Sequence, residues 1–163
     1  MLASLTTHWK DLVVTFFMSM LPLVELRGGI LFAAAKGIPF PLAAATSFFA
    51  NILPLPFILL FLRRFFRFLE HFGQTRRLVN WLENKARKKV SKMRTAILLG
   101  LFLFVAIPLP GTGVWTGALI AVVFDLQIKK AFPVIAAGAL CALCVMSVMS
   151  YLIPGFFGFV VSS

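Results

Sequence analysis

The chain has 163 residues, 61% of them apolar and 13% charged, with a mean hydropathy of +0.99 and a formal net charge of +11. Soluble domains are about half apolar, whereas residues 41–62, 95–124 and 131–163 of this chain run 22, 30 and 33 positions without a charge. That excludes an ordinary water-soluble domain and predicts a single all-α integral membrane domain over residues 1–163.

Residues 12–35 form the first apolar stretch. It is interrupted by Pro22 and by the run Glu25, Leu26, Arg27, Gly28, Gly29. Lys10 ahead of it and Ala33, Ala34, Ala35 at its end imitate a cleaved signal, but such signals avoid charges in or just after the apolar region. Residues 41–62 read as a full transmembrane helix, with Asn51 in the middle and Pro54 and Pro56 after it. An intramembrane Asn either holds helices together or lines a pathway.

Residues 63–94 carry eleven Lys or Arg against Glu70 and Glu83, which places this loop in the cytoplasm. Within it Leu78, Leu82, Ala86, Val90 and Met93 recur at helical spacing, and basic residues cover most of the remaining surface. This pattern predicts an amphipathic helix on the membrane lipids of an anionic leaflet, with about 1 kcal/mol gained per basic residue. No nucleic-acid motif is present. Residues 95–124 form a second interrupted stretch, broken at 107–113, and residues 131–153 a second full span. Cys141 and Cys144, inside that span, read as small packing residues, since no soluble βαβ context surrounds them. His8 and His71 lie in flanking segments.

The order is thus interrupted element, short link, full span, given twice. Residues 12–24 and 95–107 would reach only about 20 Å each as helices, against a hydrocarbon core of about 30 Å. Two arrangements follow: re-entrant helical hairpins that enter and leave on one side, or four kinked spans. Hairpins make the chain an inverted repeat entered from opposite faces, a plan used by secondary transporters. They also put Lys129 and Lys130 with the basic loop and Lys10 and Lys36 outside, in keeping with the positive-inside rule.

An ionised group at the bilayer centre costs about 2.5–3.5 kcal/mol, so Glu25 and Arg27 invite a functional reading beside that of a structural ion pair. Gly28 and Gly29 would permit a tight turn there. The second tip offers Pro108, Pro110, Gly111, Thr112 and Gly113, with Trp115 just beyond. Two half-helices starting near Ile30 and Val114 would point N-termini at the midplane. With Arg27 they favour an anionic, phosphate-bearing substrate, with Glu25 orienting Arg27 or exchanging a proton. The opposite reading makes Glu25 and Trp115 the site for a cationic drug-like compound. Asn51 and Thr116 are further candidates. No metal-ligand cluster, hydrolase triad, P-loop or dinucleotide fingerprint occurs; no cofactor and no enzymatic activity are expected. Gly138 with Ala142, and Ala43 with Ser47, are small-residue pairs suited to a homodimer or to packing within one subunit.

"LPLVELRGG" at 21–29 and "IPLPGTGVWTGALIA" at 107–121 resemble the small multidrug export protein family over nearly the whole chain. That family is similar to the wider DedA/VTT group, for which the resemblance implies paired re-entrant loops. It also implies transport of lipid-linked phosphates or small molecules and a bacterial cytoplasmic-membrane location. Glu25 and Arg27 match the charged pair of the first motif. Pro108, Pro110, Gly111, Thr112, Gly113 and Trp115 match the second. The family often has Gly-Asn where this chain has Ala50 and Asn51, and Ala at the position of Gly29, departures that touch packing more than charge.

Overall fold

A computed structural model describes residues 2–70, 95–109 and 111–152. Residues 71–94 of the basic segment 63–94, with the apolar stripe of its expected amphipathic helix and His71, lie outside the described residues, as do Pro110 and residues 153–163. Among the described residues, seven α-helices follow in chain order: α1 (Leu2–Met20), α2 (Glu25–Ala35), α3 (Phe40–Ile52), α4 (Leu55–Glu70), α5 (Thr95–Ala106), α6 (Val114–Val123) and α7 (Ile128–Ser147). A π turn, Val148–Leu152, extends α7. There is no sheet among the described residues.

Among the described residues, two segments are long and apolar enough to cross a membrane, Phe40–Phe68 and Ile128–Tyr151. The first contains α3, α4 and a break at Leu53 and Pro54, where sequence periodicity reads one uninterrupted helix. Proline explains the break: Pro54 and Pro56 bring no amide to the helical ladder. α4 restarts with Ile58 N–H donating to the Pro54 carbonyl at 2.9 Å. α4 also carries Arg63, Arg64 and Arg67, so part of the basic segment is helical. α1 begins ten residues before the expected start at 12, through a polar first half that includes Thr7, His8, Lys10 and Asp11.

The two halves share backbone detail. α2 ends in a Schellman turn, with Gly37 at φ 67° and Ile38 N–H donating to Ala33 O at 3.0 Å. α6 ends in the same turn, with Asp125 at φ 47° and Leu126 N–H donating to Ala121 O at 2.8 Å. Each position in the second turn lies 88 residues after its counterpart. Such turns satisfy the last carbonyls of a helix and seat an apolar residue after it, here Ile38 (1% exposed) and Leu126 (5%).

Side chains then tie the halves reciprocally. The Arg63 guanidinium donates to the Leu126 carbonyl. Tyr151, 88 positions after Arg63, donates its hydroxyl to the Ile38 carbonyl at 2.9 Å. Each long segment therefore starts at one helix link and ends against the other. The segment between the two links, Ile128–Tyr151, rises about 35 Å as a helix.

Close approach holds the interior together. A Cβ at Gly138 would sit 2.9 Å from the Phe102 carbonyl and from Val105 Cβ. Gly138, Ala142, Ala43 and Ser47 are all buried within the single chain, so both small-residue pairs serve helix contacts inside it. Cys141 and Cys144 are free thiols on the outer surface of α7.

Candidate functional site

The turn at 21–24 leads directly into α2, and Glu25 takes the left-handed backbone region at φ 52°. A non-glycine residue there costs about 1 kcal/mol or more. On a regular helix residues i and i+2 do not face one another; the left-handed Glu25 is what lets its side chain lie beside Arg27. Gly28 and Gly29, read from the sequence as the turn, sit inside α2 instead. They let neighbouring groups approach, Gly28 toward Val24 and Gly29 toward Ser19 and Ser47.

The second tip, residues 107–113, is braced by two threonines. Thr112 Oγ1 accepts Leu109 N–H at 3.2 Å and lies 2.7 Å from Ile107 O and 2.9 Å from Leu109 O, one of which takes its proton. Thr116 Oγ1 accepts Gly113 N–H at 2.9 Å and donates to Gly111 O at 2.9 Å. Gly111 stands at φ 81°, which a side chain would resist.

These two tips meet. Glu25 Oε1 accepts the Trp115 backbone N–H at 3.3 Å, and Glu25 Oε2 lies 3.7 Å from Arg27 Nη1. The carboxylate therefore occupies the N-terminus of α6, where free amides and the helix dipole favour an anion. Gly113 is required by this approach, since any Cβ there would overlap the carboxylate. Arg27 Nη2 donates to the Thr112 carbonyl and to Thr112 Oγ1 at 3.1 Å, with Ile107 O at 3.2 Å and Val105 O at 3.4 Å also in range. The side chains of Glu25 and Arg27 are only 7% and 15% exposed. An acid, a base and a ring of carbonyls thus join two turns 80 to 90 residues apart in the chain.

Beside this junction lies a cavity of about 810 Å³. Its walls come from the first tip (Met20, Pro22), the break between α3 and α4 (Leu53, Pro54), α4 (Phe57, Phe61) and α6 (Trp115, Thr116, Leu119), and among the described residues no charged side chain lines it. It is an open cleft, with Leu53, Phe57 and Phe61 largely exposed, and apolar clefts are a usual form of small-molecule site.

The structure brings together Glu25, Arg27, Thr112, Gly113 and Trp115. Pro108 is half-buried and Gly111 exposed, and both belong to the turn at the second tip. Asn51 is fully buried, and neither its side-chain oxygen nor its nitrogen has a partner among the described residues. Sequence reasoning missed the carbonyls of Val105 and Ile107, for which composition gives no signal. It also missed Phe57 and Phe61, whose i, i+4 spacing after a double proline was the available clue. Among the described residues no group of three His, Cys, Asp or Glu could hold a metal ion.

A family model described as "Putative small multi-drug export protein" matches residues 25–145, which takes in Glu25, Arg27 and the second tip. The chain belongs to this small multi-drug export protein family. Neither a curated protein nor a solved structure matches it. Two long apolar helices and membership of an export family make this export protein a membrane protein.

Proposed function

We propose that this export protein is a secondary transporter that moves amphipathic small molecules through the cavity beside the Glu25 and Arg27 junction. In this reading residues 12–35 and 95–124 are re-entrant hairpins from opposite faces, and the chain is an inverted repeat. α2, α5 and α6 have 11, 12 and 10 residues, or about 15–18 Å of helix, roughly half the hydrocarbon thickness. The reciprocal bonds of Arg63 and Tyr151 support a two-fold relation of the halves, the plan on which alternating access rests.

The observation that carries the proposal is the uncharged, aromatic-walled cavity at the tip junction. An apolar substrate body fits there, with its polar end toward Glu25. Both charges are engaged, but Arg27 Nη2 is held by the oxygens of Ile107 and Thr112 whereas Glu25 Oε2 meets Arg27 Nη1 no closer than 3.7 Å, so a cationic end competes for Glu25 more readily than an anionic end competes for Arg27. An ionised Glu25 holds α6 through a charge-assisted bond; protonation weakens that bond and frees the two tips to part. Proton exchange at Glu25 is thereby the coupling step.

A phosphate-bearing or lipid-linked substrate is the second reading. One observation favours it: Arg27 Nε is buried and has no acceptor among the described residues.

Proteoliposomes holding the full chain test both. With an imposed pH gradient, a lipophilic cationic dye is expected to be expelled, and Leu119→Trp, which narrows the cavity, to slow expulsion about tenfold. Glu25→Gln is expected to abolish the response to the gradient. Translocation of a fluorescent phosphate-bearing lipid with no dye movement would replace the first reading by the second.

A further inference from the structure

α4 and α6 lie side by side and run the same way. Both start beside the tip junction, α4 at Leu55 and α6 at Val114, and Arg63 reaches the Leu126 carbonyl just past the end of α6. The cleft lies between them, with Phe57 and Phe61 on one wall and Trp115 and Leu119 on the other. From Leu55 to Arg64 the helix rises about 14 Å, against about 15 Å for half the hydrocarbon core. The cleft thus has the depth of one leaflet.

Its outer side is open. Leu53, Phe57 and Phe61 are 52%, 70% and 69% exposed, and they belong to Phe40–Phe68, a segment long and apolar enough to cross the membrane. In a bilayer such side chains face acyl chains. Water competes poorly for the space, because a bound water needs about two to four polar partners. Among the described lining residues Thr116 carries the one hydroxyl, and Gly113 and Gly111 already engage it.

Cations stand at the outer end of the cleft. Phe57, Phe61, Arg64 and Phe68 of α4 are all exposed and advance by four, three and four residues, the spacing of one helix face. Arg64 therefore follows Phe61 on that face. Lys129 and Lys130, also exposed, come three and four residues after Leu126, whose carbonyl Arg63 holds. Against these cations the link between α6 and α7 sets one acid, Asp125. Basic residues beside a cleft between membrane helices suit anionic lipid headgroups. A second copy of the chain suits the same face less well, since a two-fold pair in one membrane would bring a second Arg64, Lys129 and Lys130 to the same level.

We propose that the cleft between α4 and α6 binds an anionic phospholipid. One acyl chain lies between Phe57 and Phe61 on one side and Trp115 and Leu119 on the other. The headgroup phosphate meets Arg64, and Lys129 and Lys130 add to the positive field. This lipid is a resting occupant, distinct from any phosphate-bearing substrate at Arg27, which belongs to the tip junction. The site stands without the transport reading; entry of a substrate sideways from this leaflet, by displacing the acyl chain, rests on it.

Trp115 reports on the cleft. The full chain with Trp9→Phe and Trp81→Phe keeps it as the one tryptophan. That protein is reconstituted in phosphatidylcholine vesicles with an increasing small fraction of lipid brominated near the chain ends, under either a phosphatidylglycerol or a phosphatidylcholine headgroup. Bromine quenches tryptophan fluorescence on contact. Brominated phosphatidylglycerol is expected to quench saturably, with a midpoint about fivefold lower in mole fraction than brominated phosphatidylcholine. Joint Arg64→Gln, Lys129→Gln and Lys130→Gln, all at exposed positions, is expected to remove that preference and leave the unquenched emission spectrum unchanged. Equal quenching by the two lipids, or a preference that survives the three changes, overturns the headgroup site. Absence of quenching by either lipid, the result if a second copy were seated there, overturns occupancy by an acyl chain. Dye export without preferential quenching removes the lipid site alone. Preferential quenching in a protein that moves no dye removes the transport reading alone.

Discussion

At the scale of the residue, Glu25 is both charge and cap. It is held in a left-handed conformation, its carboxylate sits on the first amides of α6, and its other oxygen faces Arg27. Everything around it is arranged for close approach, and Gly113 most of all. Gly113→Ala puts a methyl group into the carboxylate, and overpacking of this kind costs about 1–3 kcal/mol. The expected outcome is a lowered melting temperature together with a loss of export of at least tenfold, measured on the purified protein and in proteoliposomes. A melting temperature equal to that of the parent protein would show that the tips do not touch. Thr116 has a separate duty, since its hydroxyl receives Gly113 N–H. Its position three residues after that amide is a capping signature in the sequence, but the sequence leaves unsaid that the cap braces a turn carrying no charge of its own. Glu25 and Arg27 stood out in the sequence because charges are expensive in an apolar run. The carbonyls of Val105, Ile107 and Thr112 that receive Arg27 were not legible, because every residue has a carbonyl and only the path of the backbone decides which ones converge.

At the scale of the element, the links between helices matter more than the helices. The Schellman turns after α2 and α6 set the angle at which α3 and α7 depart, and a single side chain from a distant helix seals each turn. Tyr151→Phe removes the hydroxyl that reaches Ile38 and leaves the ring contact with Phe40, whose centroid lies 5.5 Å away. The expected loss is about 1 kcal/mol, read as a lower melting temperature. Amide exchange should quicken at residues 36–40 and stay unchanged at 124–128. The proline positions made a bend after Asn51 foreseeable, yet hydrophobic periodicity alone still read residues 41–62 as one continuous helix. A backbone ladder fails where a donor is missing, however apolar the side chains around it.

At the scale of the whole molecule, the two links lie at opposite ends of α7, with Lys36 at one and Lys129 at the other. If the hairpins are re-entrant, cysteines placed at Lys36 and Lys129 in a background lacking Cys141 and Cys144 will be labelled from opposite sides of the membrane by an impermeant thiol reagent. Labelling of both from one side would exclude the inverted arrangement.

The sequence by itself determined the solvent, the helical class, the two interrupted stretches and the expensive pair of charges. All of these follow from hydropathy, helix length and the cost of charge in hydrocarbon, which are properties of short segments. The tertiary structure alone decided that Glu25 caps the other tip, that Arg27 is taken up by carbonyls, and that an uncharged cavity opens beside them. Those contacts join residues 80 to 90 positions apart, and no local pattern records which distant backbone a side chain will meet.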